Sequence, residues 1–275
     1  MKRTLRFVAA AIALFCVVSY AGDDNEEVAQ TLTEEVAQIL TNLGEKFTAA
    51  VSFCDVLYAG DDTEEVAQTL TELGKTFTAV DLGLSVKWAS FNLGATAPEM
   101  YGSYYQWGDP EAKSSKTYDW KSYKYCNGDY KTITKYCNDS EYGAYGFTDE
   151  LITLTKEDDA VAVALGGSWR MPTNAEWDEL NSNCTWVWTT QNGVAGYKVT
   201  SNGEGYTDKW IFLPASGCWD DSSFYGQGVY GDYWNASLNE SNPSRARFFS
   251  FYDGFHETSV HTREDGFSVR PVAEY

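Results

Sequence analysis

Positive charge, histidine, proline and long apolar runs are all scarce in this 275-residue chain. Twenty Lys and Arg residues stand against forty Asp and Glu, a formal net charge of −20. A surface of that sign repels phosphate backbones and anionic lipid, so nucleic acid is excluded as a partner. Only two histidines occur, His256 and His261. Two ring nitrogen donors five positions apart do not supply a histidine-rich metal centre. The six cysteines include no C-x-x-C pair, which removes the usual zinc and redox spacings. The most apolar stretch, Phe7 to Val18, falls short of the roughly 20 residues that cross a bilayer, and no later stretch exceeds it, so membrane insertion is not expected.

That short apolar run reads instead as the middle of an export signal. Lys2, Arg3 and Arg6 precede it, and Ser19-Tyr20-Ala21 supplies small residues where a signal peptidase reads them. Residues 1–21 are therefore expected to be removed, and the product to be periplasmic, cell-surface or secreted. Without Lys2, Arg3 and Arg6 the balance is 40 acidic to 17 basic residues, a net charge of −23. The five remaining cysteines are an odd number, and Cys126 with Cys137 is the first candidate for a bridge.

Residues 22–80 hold 13 acidic and 2 basic residues and an internal repeat. Glu34-Glu35-Val36-Ala37-Gln38 recurs as Glu64-Glu65-Val66-Ala67-Gln68, and Phe47-Thr48-Ala49 as Phe77-Thr78-Ala79, with a period of 30. A second register, of period 38, copies Tyr20-Ala21-Gly22-Asp23-Asp24 into Tyr58-Ala59-Gly60-Asp61-Asp62, so the end of the signal is itself duplicated. Val66, Leu70, Leu73 and Phe77 fall on one helical face. Two copies are too few for a solenoid, so the segment is expected to be an acidic helical spacer, with self-association as its functional option.

Beyond residue 80 short alternating runs are broken by Gly, Asn and Asp. Strands are expected at Val86–Phe91, Gly102–Trp107, Tyr197–Thr200, Lys209–Pro214, Arg247–Tyr252 and Gly266–Val272. Two helices interrupt them. Thr155 and Asp158 open a run to Leu165 that Gly166-Gly167 closes, and Thr173 with Glu176 forms a capping box before Ala175–Asn183. Residues 81–275 thus form an α+β domain with short twisted antiparallel strands, large enough for one sizeable core.

The block Gly166-Gly167-Ser168-Trp169-Arg170-Met171-Pro172-Thr173-Asn174-Ala175-Glu176-Trp177 resembles the W-R-[LM]-P-T-x-A-E-W block of the formylglycine-generating-enzyme (sulfatase-modifying factor) branch of the C-type lectin fold. The closing Gly266-Phe267-Ser268-Val269-Arg270-Pro271-Val272 resembles its terminal strand. With Val80–Ala89, Tyr104–Gly108 and Ile211–Ala215, residues 80–275 resemble the Fibrobacter succinogenes major paralogous domain family, exported proteins of the Bacteroidetes type. The resemblance implies a C-type lectin-like domain. It does not imply the branch's oxidase chemistry, because no cysteine follows Cys218, nor its iron chemistry, because the histidine cluster is missing.

A binding module is therefore the leading expectation, recognising a glycan or a protein surface through an aromatic-rich C-terminal face. The residues expected on that face are Trp219, Tyr225, Tyr230, Trp234, Asn235, Arg247, Phe249, Phe251, Asp253, His256 and His261. Tyr and Trp give broad contact with few rotors to freeze. In the strand from Arg247, the set Arg247, Phe249, Phe251 faces away from Ala246, Phe248, Ser250, so only one set can meet a ligand. No catalytic residue is named. Asp220-Asp221, Asp232, Asp253 and Glu264-Asp265 leave a carboxylate-based glycan hydrolase as the enzymatic alternative. The same carboxylates offer oxygen ligands to calcium, the one cofactor considered, although no D-x-D-x-D-G loop is present. Tyr233-Trp234-Asn235 resembles the W-N-D calcium motif of sugar-binding lectins with Ala236 in the last place. A structural adhesin subunit and a retroelement-diversified receptor, varied over Arg247–Asp265, are the remaining alternatives.

Overall fold

A computed structural model describes residues 78–113, 117–221 and 223–275. The export signal, nearly all of the acidic repeat and Cys54 lie outside the described residues. From residue 78 onward the chain is built of small antiparallel sheets with two short α-helices among the described residues. None of the described helices is long and apolar enough to cross a membrane.

Both expected helices form. Helix α1 (Ala160–Leu165) begins four residues later than a cap at Thr155 implies, because Asp159 is the cap: its carboxylate accepts from the Val161 and Ala162 amides. Asp158 turns away and binds Lys135 and the Tyr136 hydroxyl instead. Helix α2 (Asn174–Asn183) carries the expected capping box, Thr173 and Glu176 each accepting from the other's backbone amide. Glu176 also takes a two-pronged grip from Arg170, at 2.9 and 2.6 Å, which ties the strand before the helix to its first turn.

Four sheets surround these helices. The first places β1 (Ala79–Val80), β2 (Lys87–Ala89), β12 (Val272–Ala273) and β3 (Trp169–Arg170) side by side in that order. The second joins β4 (Cys184–Gln191), β5 (Val194–Ser201) and β6 (Trp210–Pro214), its first hairpin turning through Asn192-Gly193 with φ of 47° and 84°. Positive φ at both residues is the type I′ geometry that Asn-Gly favours. A third contains β9 (Tyr230–Leu238), β10 (Arg245–Tyr252) and β11 (Phe255–Thr262), with β10 central. The fourth is the two-stranded ribbon β7 (Cys218–Asp220) and β8 (Ser223–Tyr225).

Two expected strands dissolve into single bridges. Gly102–Trp107 touches the closing segment only at Tyr105 with Phe267, and Gly266–Val272 then meets Trp219 and Tyr233 before pairing as β12. Each of these residues has a different neighbour, so no ladder builds up. The expected Cys126–Cys137 bridge is corrected: both are free thiols, Cys126 donating to the Trp120 carbonyl at 2.9 Å and Cys137 to that of Asp139 at 3.2 Å.

Two cores lie on opposite faces of β9 and β10. Trp177, from α2, is fully buried against Trp88 at 4.8 Å and stacked on Phe249 at 4.6 Å, with Tyr233 and Phe251 in the same cluster. Trp234, Phe248 and Phe267 belong to the other. Two arginines are wholly buried without a carboxylate partner. Arg270 donates to Asn92 Oδ1 and to the Ala89 and Phe212 carbonyls, so the arginine of the closing block joins three segments. Arg263 donates to Tyr123 Oη and to the carbonyls of Tyr136, Pro243 and Lys135, with its guanidinium 4.9 Å from the Trp107 ring centre. Three oxygen acceptors for Arg270 and four for Arg263 offset the cost of burying these cations.

Candidate functional site

Alternation along β9 and β10 divides the third sheet into two faces. Register pairs Tyr230 with Tyr252, Asp232 with Ser250 and Trp234 with Phe248, so these side chains share one face. His261 joins them from β11, opposite Ala246. The intervening residues Gly231, Tyr233, Phe249 and Phe251 turn to the Trp177 core. Over the first face stands the β7–β8 ribbon, and between ribbon and sheet an open cleft of about 470 Å³ remains.

Its floor is Cys218, Asp232 and Phe248, all buried, with Ser250 beside them. Tyr225 and Tyr252 form the rim, each about half exposed, at 49% and 48%. Tyr230 stands between, held where Gly226 (φ +68°) passes its ring, a place a Cβ would fill. Asp220 and His261 complete the walls.

Burial dominates the electrostatics of this cleft. It pushes the Asp232 carboxyl up to about 6, against the hydrogen bond from Ser250 Oγ at 2.7 Å and the nearby His261. The Asp220 carboxyl is raised too, by burial and then by the charge of Asp265. Burial and Asp232 push the Cys218 thiol up to about 12, so it is neutral and no nucleophile at physiological pH. For His261, burial pulls the imidazole down, but the hydrogen bond and charge of Asp265, together with Asp220 and Asp232, outweigh it and leave the pKa raised. Asp265 is itself buried, taking His261 Nδ1 at 2.6 Å and the Thr262 hydroxyl at 2.5 Å. The cleft thus offers carboxylate acceptors at its base and tyrosine rings at its mouth, with an imidazole oriented by a buried aspartate.

Of the eleven expected site residues, Tyr225, Tyr230 and His261 line the cleft. The others are elsewhere. Phe249 and Phe251 are fully buried on the opposite sheet face, so the cleft-facing parity of β10 is Phe248, Ser250, Tyr252, the reverse of the set expected to meet a ligand. Trp234 is buried, stacked on Phe267 at 4.2 Å with Nε1 donating to the Tyr105 carbonyl. Asn235 is buried and accepts the Ser237 amide at 2.9 Å. Trp219 points from β7 to the other side and stacks on Tyr118. His256 lies against Trp186 at 4.7 Å and bonds Asn181. Arg247 is half-buried outside the cleft, and Asp253 sits in the exposed β10–β11 turn. Cys218, Asp220, Asp232, Phe248, Ser250 and Tyr252 are cleft residues that the aromatic criterion passed over. Asp220 and Asp232 were singled out in the sequence only as candidate carboxylates, and Ser250 is a polar residue inside an otherwise aromatic strand. Among the described residues no group of three or more His, Cys, Asp and Glu side chains is arranged to hold a metal ion. The chain matches no family model, and no curated protein or solved structure is significantly similar to it.

Proposed function

We propose that this is an exported glycan-binding protein of C-type lectin-like fold, whose binding site is the cleft between the β7–β8 ribbon and the β9–β10–β11 sheet. The observation that carries the reading is the pairing of half-exposed tyrosine rings at the mouth with buried oxygen acceptors at the base. A pyranose presents both an apolar face, which stacks on rings, and hydroxyl donors, which carboxylates accept. The 470 Å³ of space suits one or two sugar residues. The lectin-fold part of the reading is supported by the Gly166–Trp177 and Gly266–Val272 blocks, whose arginines act as structural joints.

Glycan-array binding by the secreted chain tests the proposal. Binding that weakens on Tyr225→Ala or Tyr252→Ala, with thermal stability kept, is the expected result. Binding to no glycan, or binding indifferent to both changes, would remove the cleft from the account. A hydrolase reading is favoured by one observation, the Asp232 carboxyl held near 6, where it could serve as a general acid. Appearance of cleaved oligosaccharide, lost on Asp232→Asn, would establish it in place of binding alone.

A further inference from the structure

The cleft is asymmetric in charge. Asp220 and Asp232 face it directly, and Asp265 stands behind His261. Among the described residues no Lys or Arg forms an ion pair with Asp220 or Asp232. His261 is the one basic group nearby, and it is bound to Asp265. Among the described residues the buried Asp158 has Lys124 and Lys135, the half-buried Glu176 has Arg170, and the buried Asp159 accepts from the Val161, Ala162 and Met171 amides.

No element around Asp232 contributes a Lys or Arg to the cleft lining. The β7–β8 ribbon contributes Cys218, Asp220 and Tyr225, β9 contributes Tyr230, β10 contributes Ser250 and Tyr252, and β11 contributes His261. Even with His261 protonated, the three aspartates leave net negative charge. The Cys218 thiol and the Tyr230 hydroxyl are neutral, their ionisation opposed by burial. Aromatic faces beside carboxylates are the surroundings that stabilise an organic cation, through the ring quadrupole and through charge-assisted hydrogen bonds.

We infer that the cleft selects a sugar residue carrying a free ammonium group, with the ammonium seated between Asp232 and Asp220 and the ring plane against the rim tyrosines. This rests on the glycan reading above and adds the chemical class of the sugar. The ammonium would donate to the Asp232 oxygen that Ser250 does not occupy. It supplies the counter-charge that the protein itself withholds.

Isothermal titration at pH 7 with three β-1,4-linked oligomers of equal length tests it: glucosamine, N-acetylglucosamine and glucose oligomers, which differ only at C2. Tetramethylammonium chloride serves as a cation without a sugar. The expected result is a preference of about tenfold or more for the glucosamine oligomer, reduced to about twofold or less by Asp232→Asn and weakened by Asp220→Asn. Asp232→Asn keeps the side-chain shape, and Asp220 is exposed, so neither variant should fail to fold. Equal binding of all three oligomers would overturn the ammonium inference and leave the glycan reading standing. Binding of tetramethylammonium, dependent on Asp232, with no oligomer bound would uphold the cation site and overturn the glycan reading. Binding of none of the four would overturn both.

Discussion

The two faces of the β9–β10–β11 sheet are made by alternate residues of the same strands, yet they do opposite things. One face presents Tyr233, Phe249 and Phe251 to the cluster around Trp177, and all four side chains are fully buried. The other presents Tyr230, Asp232, Ser250 and Tyr252 to a cleft under the ribbon. Aromatic content does not separate them, because both are rich in rings. What separates them is the company the rings keep: the closed face has no carboxylate, and the open face sets an aspartate and a serine between its tyrosines. Aromatic residues in a strand therefore mark burial by default, and polar interruptions mark the side that opens.

This contrast can be pressed at several points. Trp177→Ala should have the largest effect, a loss of about 3–5 kcal/mol read by thermal or denaturant unfolding, because it empties the centre of the closed face. Asp232→Asn should act with the opposite sign on the open face. The folded carboxyl is held near 6, above its ordinary 3.8, so the native state keeps a proton that the unfolded chain has already released. Wild-type stability therefore falls as pH rises from about 4 to 6 and is level above that. The variant escapes that loss and should be more stable at pH 8 by up to about 3 kcal/mol, the advantage vanishing as pH falls to 4. Thr173→Ala removes the α2 cap, away from the cleft, and should cost about 1 kcal/mol without touching binding.

How much of this was legible depends on how local the signal is. The capping box at Thr173, the glycine stop after Leu165 and the positions of β5, β6 and β10 follow from residues a few positions apart. The roles of Arg170 and Arg270 were visible as motif positions, and their contacts make them joints between segments rather than chemistry. The long strands β9 and β11 were not legible, because Gly, Asp, Asn and Ser in the first and His, Glu, Ser and Thr in the second resemble loop composition, whereas β4, rich in Thr, Trp and Val, carried a strand signal that was passed over. The parity of β10 was misread for a physical reason. A strand covered by cores at Phe248 on one side and Phe249 on the other has no simple polar and apolar alternation, so the ligand side could be identified only once the partners of Asp232 and Ser250 were known.

The most direct test of this division of labour is a side-by-side measurement of unfolding and glycan binding for Tyr252→Ala and Phe249→Leu. Tyr252→Ala should unfold within about 0.5 kcal/mol of wild type yet lose most of its affinity, since an exposed rim ring stabilises little. Phe249→Leu should lose about 1 kcal/mol or more of stability and bind as wild type while folded. Wild-type affinity in Tyr252→Ala, or a folded Phe249→Leu that no longer binds, would contradict the assignment of the open face as the binding site.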